Sequence, residues 1–121
     1  MSHMVKISIL YPQTPGARFE MDYYLHTHMP MSIGHLSAHE GFRGVSVERG
    51  VAGQDPGAPP PFVALCHFLF ESLEDFVAAF TPHAALLQGD MPNYTNIAPV
   101  IQISAVEISE TRAVAPGRAN H

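Results

Sequence analysis

Four strand-like runs and two helical stretches in the order strand, helix, strand, strand, helix, strand predict an α+β fold of the ferredoxin-like βαββαβ type. Three observations carry that reading. Apolar residues alternate in two of the runs. The third run is apolar on both sides. Helical spacing appears only between the first and second strands and between the third and fourth. This order gives a four-stranded antiparallel sheet with both helices on one face. The other face then needs a cover, and a second copy of the sheet is the economical one.

The first run is VKISILY, residues 5–11, where Val5, Ile7, Ile9 and Tyr11 alternate with Lys6, Ser8 and Leu10. Pro12, Pro15 and Gly16 end it. From Ala17 the period becomes helical, with Ala17, Met21, Tyr24, Leu25 and His28 on one stripe and Phe19, Tyr23 and His26 on a second. Met29-Pro30 is expected to kink or stop this helix, because the residue before a proline avoids the helical region. A second helical piece is expected from Met31 to about His39, with Gly41 as its C-terminal cap. RGVSVER, 43–49, alternates again. GVAGQDPGAPPP, 50–61, is loop, and FVALCHFLF, 62–70, is the strand apolar on both sides. Ser72-Leu73-Glu74-Asp75 has the form of a capping box, and Leu73, Phe76, Val77 and Phe80 follow at helical spacing. Thr81-Pro82 restarts a turn that Gly89 ends, residues 90–96 form a polar turn, and PVIQISAVEI, 99–108, is the last strand. The domain is therefore 5–109. Residues 1–4 read as an N-terminal extension or cloning scar, and 110–121 as a flexible tail.

Composition excludes several classes of partner. A net charge of −5 with only six Lys and Arg argues against nucleic acid and anionic membrane. No apolar run approaches the ~20 residues of a membrane-spanning helix, and no signal peptide is visible. A single cysteine, Cys66, excludes an internal disulfide and fits a cytoplasmic setting.

Four of the eight histidines fall between residues 26 and 41. On a helix His26 and His28 diverge by ~200°, which disfavours a chelating pair. His35 and His39 share a face at metal-site spacing, yet no third or fourth ligand accompanies them, so a solvated helix end is preferred and no metal is assigned. His28 is different. It ends a buried stripe, where the helix dipole favours a charged ring and burial opposes it, the balance a proton shuttle needs. On the pattern alone, a buried histidine bonded to a carbonyl is the simpler reading. His67 poses a choice between core and cavity lining. Asp90, Asn93, Tyr94 and Asn96 cluster in one turn, where Asp90 could simply close the turn. Tyr94, Tyr11 and Tyr24 are by default anchoring or core aromatics. Phosphate loops, dinucleotide fingerprints and nucleophile elbows are absent from the sequence.

The segments ILYP, FEMDYYLHTHMPM and GDMPNYTNIAPVIQISAVEI resemble the EthD family, named for ethyl tert-butyl ether degradation, over about Val5 to Ile108. The resemblance implies a ferredoxin-like protomer in a dimeric α+β barrel. It matches the family's aromatic–histidine–proline helix motif to Tyr24, His28 and Pro30, and its acidic-turn motif to Asp90, Pro92, Asn93, Tyr94 and Thr95. Fold alone fixes no chemistry. The expected function is cofactor-independent acid–base chemistry of dehydratase, decarboxylase or isomerase type on a small apolar or aromatic metabolite. His28 would be the acid or base and Asp90 its partner, with Tyr94, Tyr11, Tyr24 and His67 lining the substrate site. The alternatives are a non-catalytic binding or accessory protein serving an oxygenase, a family member of the kind labelled reductase, or a metal- or haem-dependent oxidoreductase using His67 or His35 and His39.

Overall fold

The computed structural model describes residues 3–112. The expected extension at residues 1 and 2 and the tail from 113 onward lie outside the described residues. Four strands, β1 (Val5–Pro12), β2 (Phe42–Arg49), β3 (Phe62–Phe70) and β4 (Val100–Ala105), form one sheet in the order β2-β3-β1-β4, with every pairing antiparallel. The fold is the α+β, ferredoxin-like one read from the sequence. β4 is shorter at both ends than the expected 99–108 run.

Strand parity decides what each face holds. Ile7 pairs with Phe68, Ile9 with Cys66 and Tyr11 with Ala64, and these residues belong to the core beneath the helices. On the opposite face Leu10 pairs with Leu65 and Ser8 with His67. Leu10, Val63, Leu65 and Leu69 stay only half-buried there.

The first helical unit is made of α1 (Met21–Tyr23), a π turn (Tyr24–His28) and α2 (Met29–Leu36) in direct succession. It starts four residues later than Ala17. Phe19 forms a β-bridge with Thr95, and the Glu20 N–H donates to the Tyr94 carbonyl, so this stretch is held extended against the acidic turn. The helix also does not stop at Pro30. Met29 keeps helical angles, and its N–H bonds the Tyr24 carbonyl five residues back. A proline ring collides with the carbonyl four residues back in an α-helix; widening one turn gives it room. The extra residue also rotates the stripe: Tyr24 and His28 are buried, whereas Leu25 is exposed.

α2 ends at Leu36, so His35 and His39 do not share a helical face and Gly41 is not its cap. The His39 Nδ1 instead accepts the Gly41 N–H at 2.9 Å. Gly41 is required for another reason, since a Cβ there would lie 2.5 Å from the Asp75 carboxylate. The second helical unit is α3 (Leu73–Phe80), a 3-10 turn (Thr81–His83) and α4 (Ala84–Gly89). Ser72 caps it by accepting the Asp75 N–H at 3.1 Å, as its sequence predicts. A further 3-10 turn, Met91–Asn93, leads into the acidic turn.

Candidate functional site

Between the helices and the inner face of the sheet lies a cavity of about 360 Å³. Its walls are mainly apolar, with Ile9 and Phe68 from the sheet, Met29 and Leu36 from α2, and Phe76 and Phe80 from α3. Such a space fits the usual range for small-molecule sites, ~300–1,000 Å³. Among the described residues that line it, none is Lys, Arg, Asp or Glu. Its polar atoms come mainly from His28, Ser32, Tyr11, Tyr24, Tyr94 and Gln88.

The π turn points His28 into this space, leaving it 7% exposed. Its Nδ1–H donates to Asp90 Oδ2 at 2.9 Å. Asp90 stands behind the ring rather than in the cavity wall. Its other oxygen accepts the Tyr23 hydroxyl at 2.7 Å and the Asn93 amide at 2.9 Å. Burial pushes the Asp90 carboxyl up, but the bonds from Tyr23, Asn93 and His28 outweigh it and hold the carboxyl below its usual value. An ionised Asp90 can only accept, so it fixes the proton on Nδ1 of the neutral ring and leaves Nε2 bare. Nε2 has two loose neighbours, Ser32 Oγ at 3.4 Å and the Tyr94 hydroxyl at 3.5 Å. Those distances exceed a good hydrogen bond, so an incoming group can displace them.

Tyr94 is fully buried, and its hydroxyl lies 2.8 Å from that of Tyr11. Burial pushes the Tyr11 phenol up to about 12 and raises Tyr94 and Tyr24 further, so all three stay neutral. Tyr24 stacks beside His28 with ring centroids 5.9 Å apart, and its hydroxyl meets the Cys66 thiol. Burial also pushes Cys66 up to about 12, which leaves it an inert thiol.

Five of the six expected site residues therefore meet: His28, Asp90, Tyr94, Tyr11 and Tyr24. His67 does not join them. It sits on the opposite face of the sheet, where its Nδ1 bonds Ser8 Oγ at 2.7 Å and its Nε2 faces Glu48 at 3.4 Å. Strand alternation excludes it from the cavity. His35 likewise packs against the ring of His83, centroids 4.1 Å apart, outside the cavity walls. Among the described residues no group of three or more His, Cys, Asp or Glu is placed to hold a metal ion. No described helix is long and apolar enough to cross a membrane. The sequence reading missed Tyr23 and Ser32. Tyr23 lies 67 positions from the carboxylate it binds, and no local pattern could link them.

A family model described as the EthD domain matches residues 17–98, most of the chain, including His28, Asp90, Tyr24 and Tyr94. The chain belongs to the EthD family. A solved EthD-like protein from Ralstonia eutropha is 45% identical, covering 92% of this chain and 98% of its own, with a TM-score of 0.83. Two remoter structures share the fold. A dimeric protein of ferredoxin-like fold from Bacteroides fragilis is 16% identical, covering 85% of this chain and 96% of its own (TM-score 0.55). SnoaB, a cofactor-independent oxygenase from Streptomyces nogalater, is 9% identical, covering 90% and 97% (TM-score 0.55). Among curated proteins none matches the chain. The EthD motifs read from the sequence, Tyr24-His28-Pro30 and Asp90 to Thr95, are the parts that build the His28–Asp90 pair and its Tyr94 neighbour.

Proposed function

We propose that this EthD protein is a cofactor-independent acid–base enzyme acting on a small, neutral, apolar or aromatic molecule held in the cavity. One observation carries the reading: an imidazole bonded through Nδ1 to a carboxylate turns its Nε2 edge to a partly enclosed, mainly apolar space. A base in that position takes a proton from the substrate, and the imidazolium that forms stays paired with Asp90. Tyr94 and Tyr11 stay neutral and set a polar, hydrogen-bonding end beside His28 in an otherwise mainly apolar wall. Such a set suits proton removal next to a carbonyl, the step shared by isomerisation and dehydration of activated substrates.

The test is exchange of the α-protons of 2-tetralone for solvent deuterium, followed by NMR. The wild-type chain is expected to accelerate it, and His28→Gln to lose ~10²–10⁴-fold of that acceleration. Equal exchange with both proteins, or none with either, refutes the reading. The apolar cavity itself favours a second reading, a binding protein that hands an apolar compound to an oxygenase. His28 and Asp90 would then be a structural pair, and His28→Gln would lower the melting temperature sharply and leave exchange at the uncatalysed rate throughout.

The half-buried outer sheet face, with Leu10, Val63, Leu65 and Leu69, supports a homodimer built by stacking two such faces. The dimeric relative from Bacteroides fragilis has the same protomer fold.

A further inference from the structure

The hydroxyls of Tyr94 and Tyr11 are more than lining, because the hydrogen-bond chain they form has a direction. Asp90 Oδ2 accepts from His28 Nδ1, so the neutral ring offers Nε2 as an acceptor. Two hydroxyls can fill it, Ser32 at 3.4 Å and Tyr94 at 3.5 Å; only Tyr94 is bonded onward, to Tyr11, and it must close by ~0.3 Å to donate well. Once Tyr94 donates to Nε2, its oxygen is free to accept, and Tyr11 stands 2.8 Å away with one proton to give. The protons of both phenols then point toward His28. The chain ends at the Tyr11 oxygen, which keeps a lone pair and no proton for the cavity. Burial of both phenols holds them neutral, so each keeps its one proton to donate.

We propose that Tyr11 and Tyr94 form a proton relay to His28, and that the substrate is a neutral aromatic or apolar molecule bearing a hydroxyl or enol that donates to Tyr11. This rests on the cavity being the substrate site. The step balances without a co-reactant. The substrate O–H bond breaks and its proton passes to the Tyr11 oxygen. The Tyr11 proton passes to Tyr94, and the Tyr94 proton forms the Nε2–H bond. The products are a substrate oxyanion and an imidazolium paired with Asp90. The electron pair of the broken bond stays on the substrate oxygen. Carboxylates and phosphates are rejected, because no cationic side chain among the described lining residues offsets their desolvation.

Calorimetric titration of the full chain with three bicyclic probes tests this: 1-naphthol, a donor; 1-tetralone, an acceptor only; and 1-naphthoate, an anion. Wild type should bind 1-naphthol about tenfold more tightly than 1-tetralone, the worth of one hydrogen bond. It should not bind 1-naphthoate measurably. Tyr11→Phe should abolish the preference and keep affinity for both neutral probes. Tyr94→Phe removes the acceptor for the Tyr11 proton, so that proton turns to the cavity and 1-tetralone should gain on 1-naphthol. Thermal melts of both variants show whether the fold is kept, and the wild-type preference stands as evidence even if one variant does not fold. Wild-type preference for 1-tetralone, or a 1-naphthol preference that survives Tyr11→Phe, overturns the relay and leaves His28 as a direct base. Binding of 1-naphthoate as tight as that of 1-naphthol overturns the neutral substrate class. No binding of any probe overturns the relay together with the reading of the cavity as a substrate site.

Discussion

Asparagine at position 90 keeps the shape of the side chain and removes the property the site depends on, an acceptor on both oxygens. Three donors aim at Asp90: Tyr23 and Asn93 at Oδ1, and His28 at Oδ2. An amide oxygen facing Tyr23 and Asn93 keeps two of these bonds and turns its NH₂ toward Nδ1. The ring must then accept at Nδ1 and carry its proton on Nε2, so it can no longer act as a base. The account therefore predicts a fall of ~10²–10⁴-fold in 2-tetralone exchange for Asp90→Asn. Trading a charge-assisted bond for a neutral one costs about 1–3 kcal/mol, or a melting temperature lower by about 4 °C per kcal/mol. The pH dependence has a definite sign. The folded state holds the Asp90 carboxyl below its unfolded value of about 3.9, so its stabilisation is complete above that value. It is lost as pH falls through the lower, folded value. The stability gap between wild type and Asp90→Asn should thus close on acidification. Undiminished exchange by the variant, or a gap that widens in acid, would refute the reasoning.

Further outcomes follow from other parts of the fold. Cys66 is buried with its thiol pushed up to about 12, so iodoacetamide should leave it unmodified in the native protein and label it in denaturant. Mass spectrometry reads this, and rapid native labelling would contradict the packing around Tyr24. Leu65→Arg places a charge on the outer sheet face, opposite Leu10, and should convert the proposed dimer to monomer in sedimentation without altering the cavity. A dimer that survives the change places the interface elsewhere.

Element order and the Ser72 cap were legible because each rests on a local pattern, alternation or a capping box, whereas the meeting of His28 with Asp90 was expected only alongside the resemblance to the EthD family. The π turn was less so. Pro30 signals that the helix must change, and the sequence does not say whether it bends, stops or widens. Tertiary packing chose widening, which turned Leu25 out and kept Tyr24 and His28 in. His67 shows a second limit. Its parity groups it with Leu65 and Leu69 on β3, and periodicity alone does not tell which face the helices cover. The Tyr23–Asp90 bond lay beyond reach because long-range pairing between a helix and a turn leaves no local trace. Phe19 was drawn into the helix by its spacing, whereas pairing with Thr95 holds it extended.

The central claim is the proton inventory of one ring, and ¹⁵N-resolved NMR of the His28 imidazole measures it without any substrate. The account predicts a neutral ring protonated at Nδ1, with an unprotonated Nε2 whose signal moves when 1-naphthol fills the cavity. A ring that carries its proton on Nε2 and leaves Nδ1 bare would contradict it.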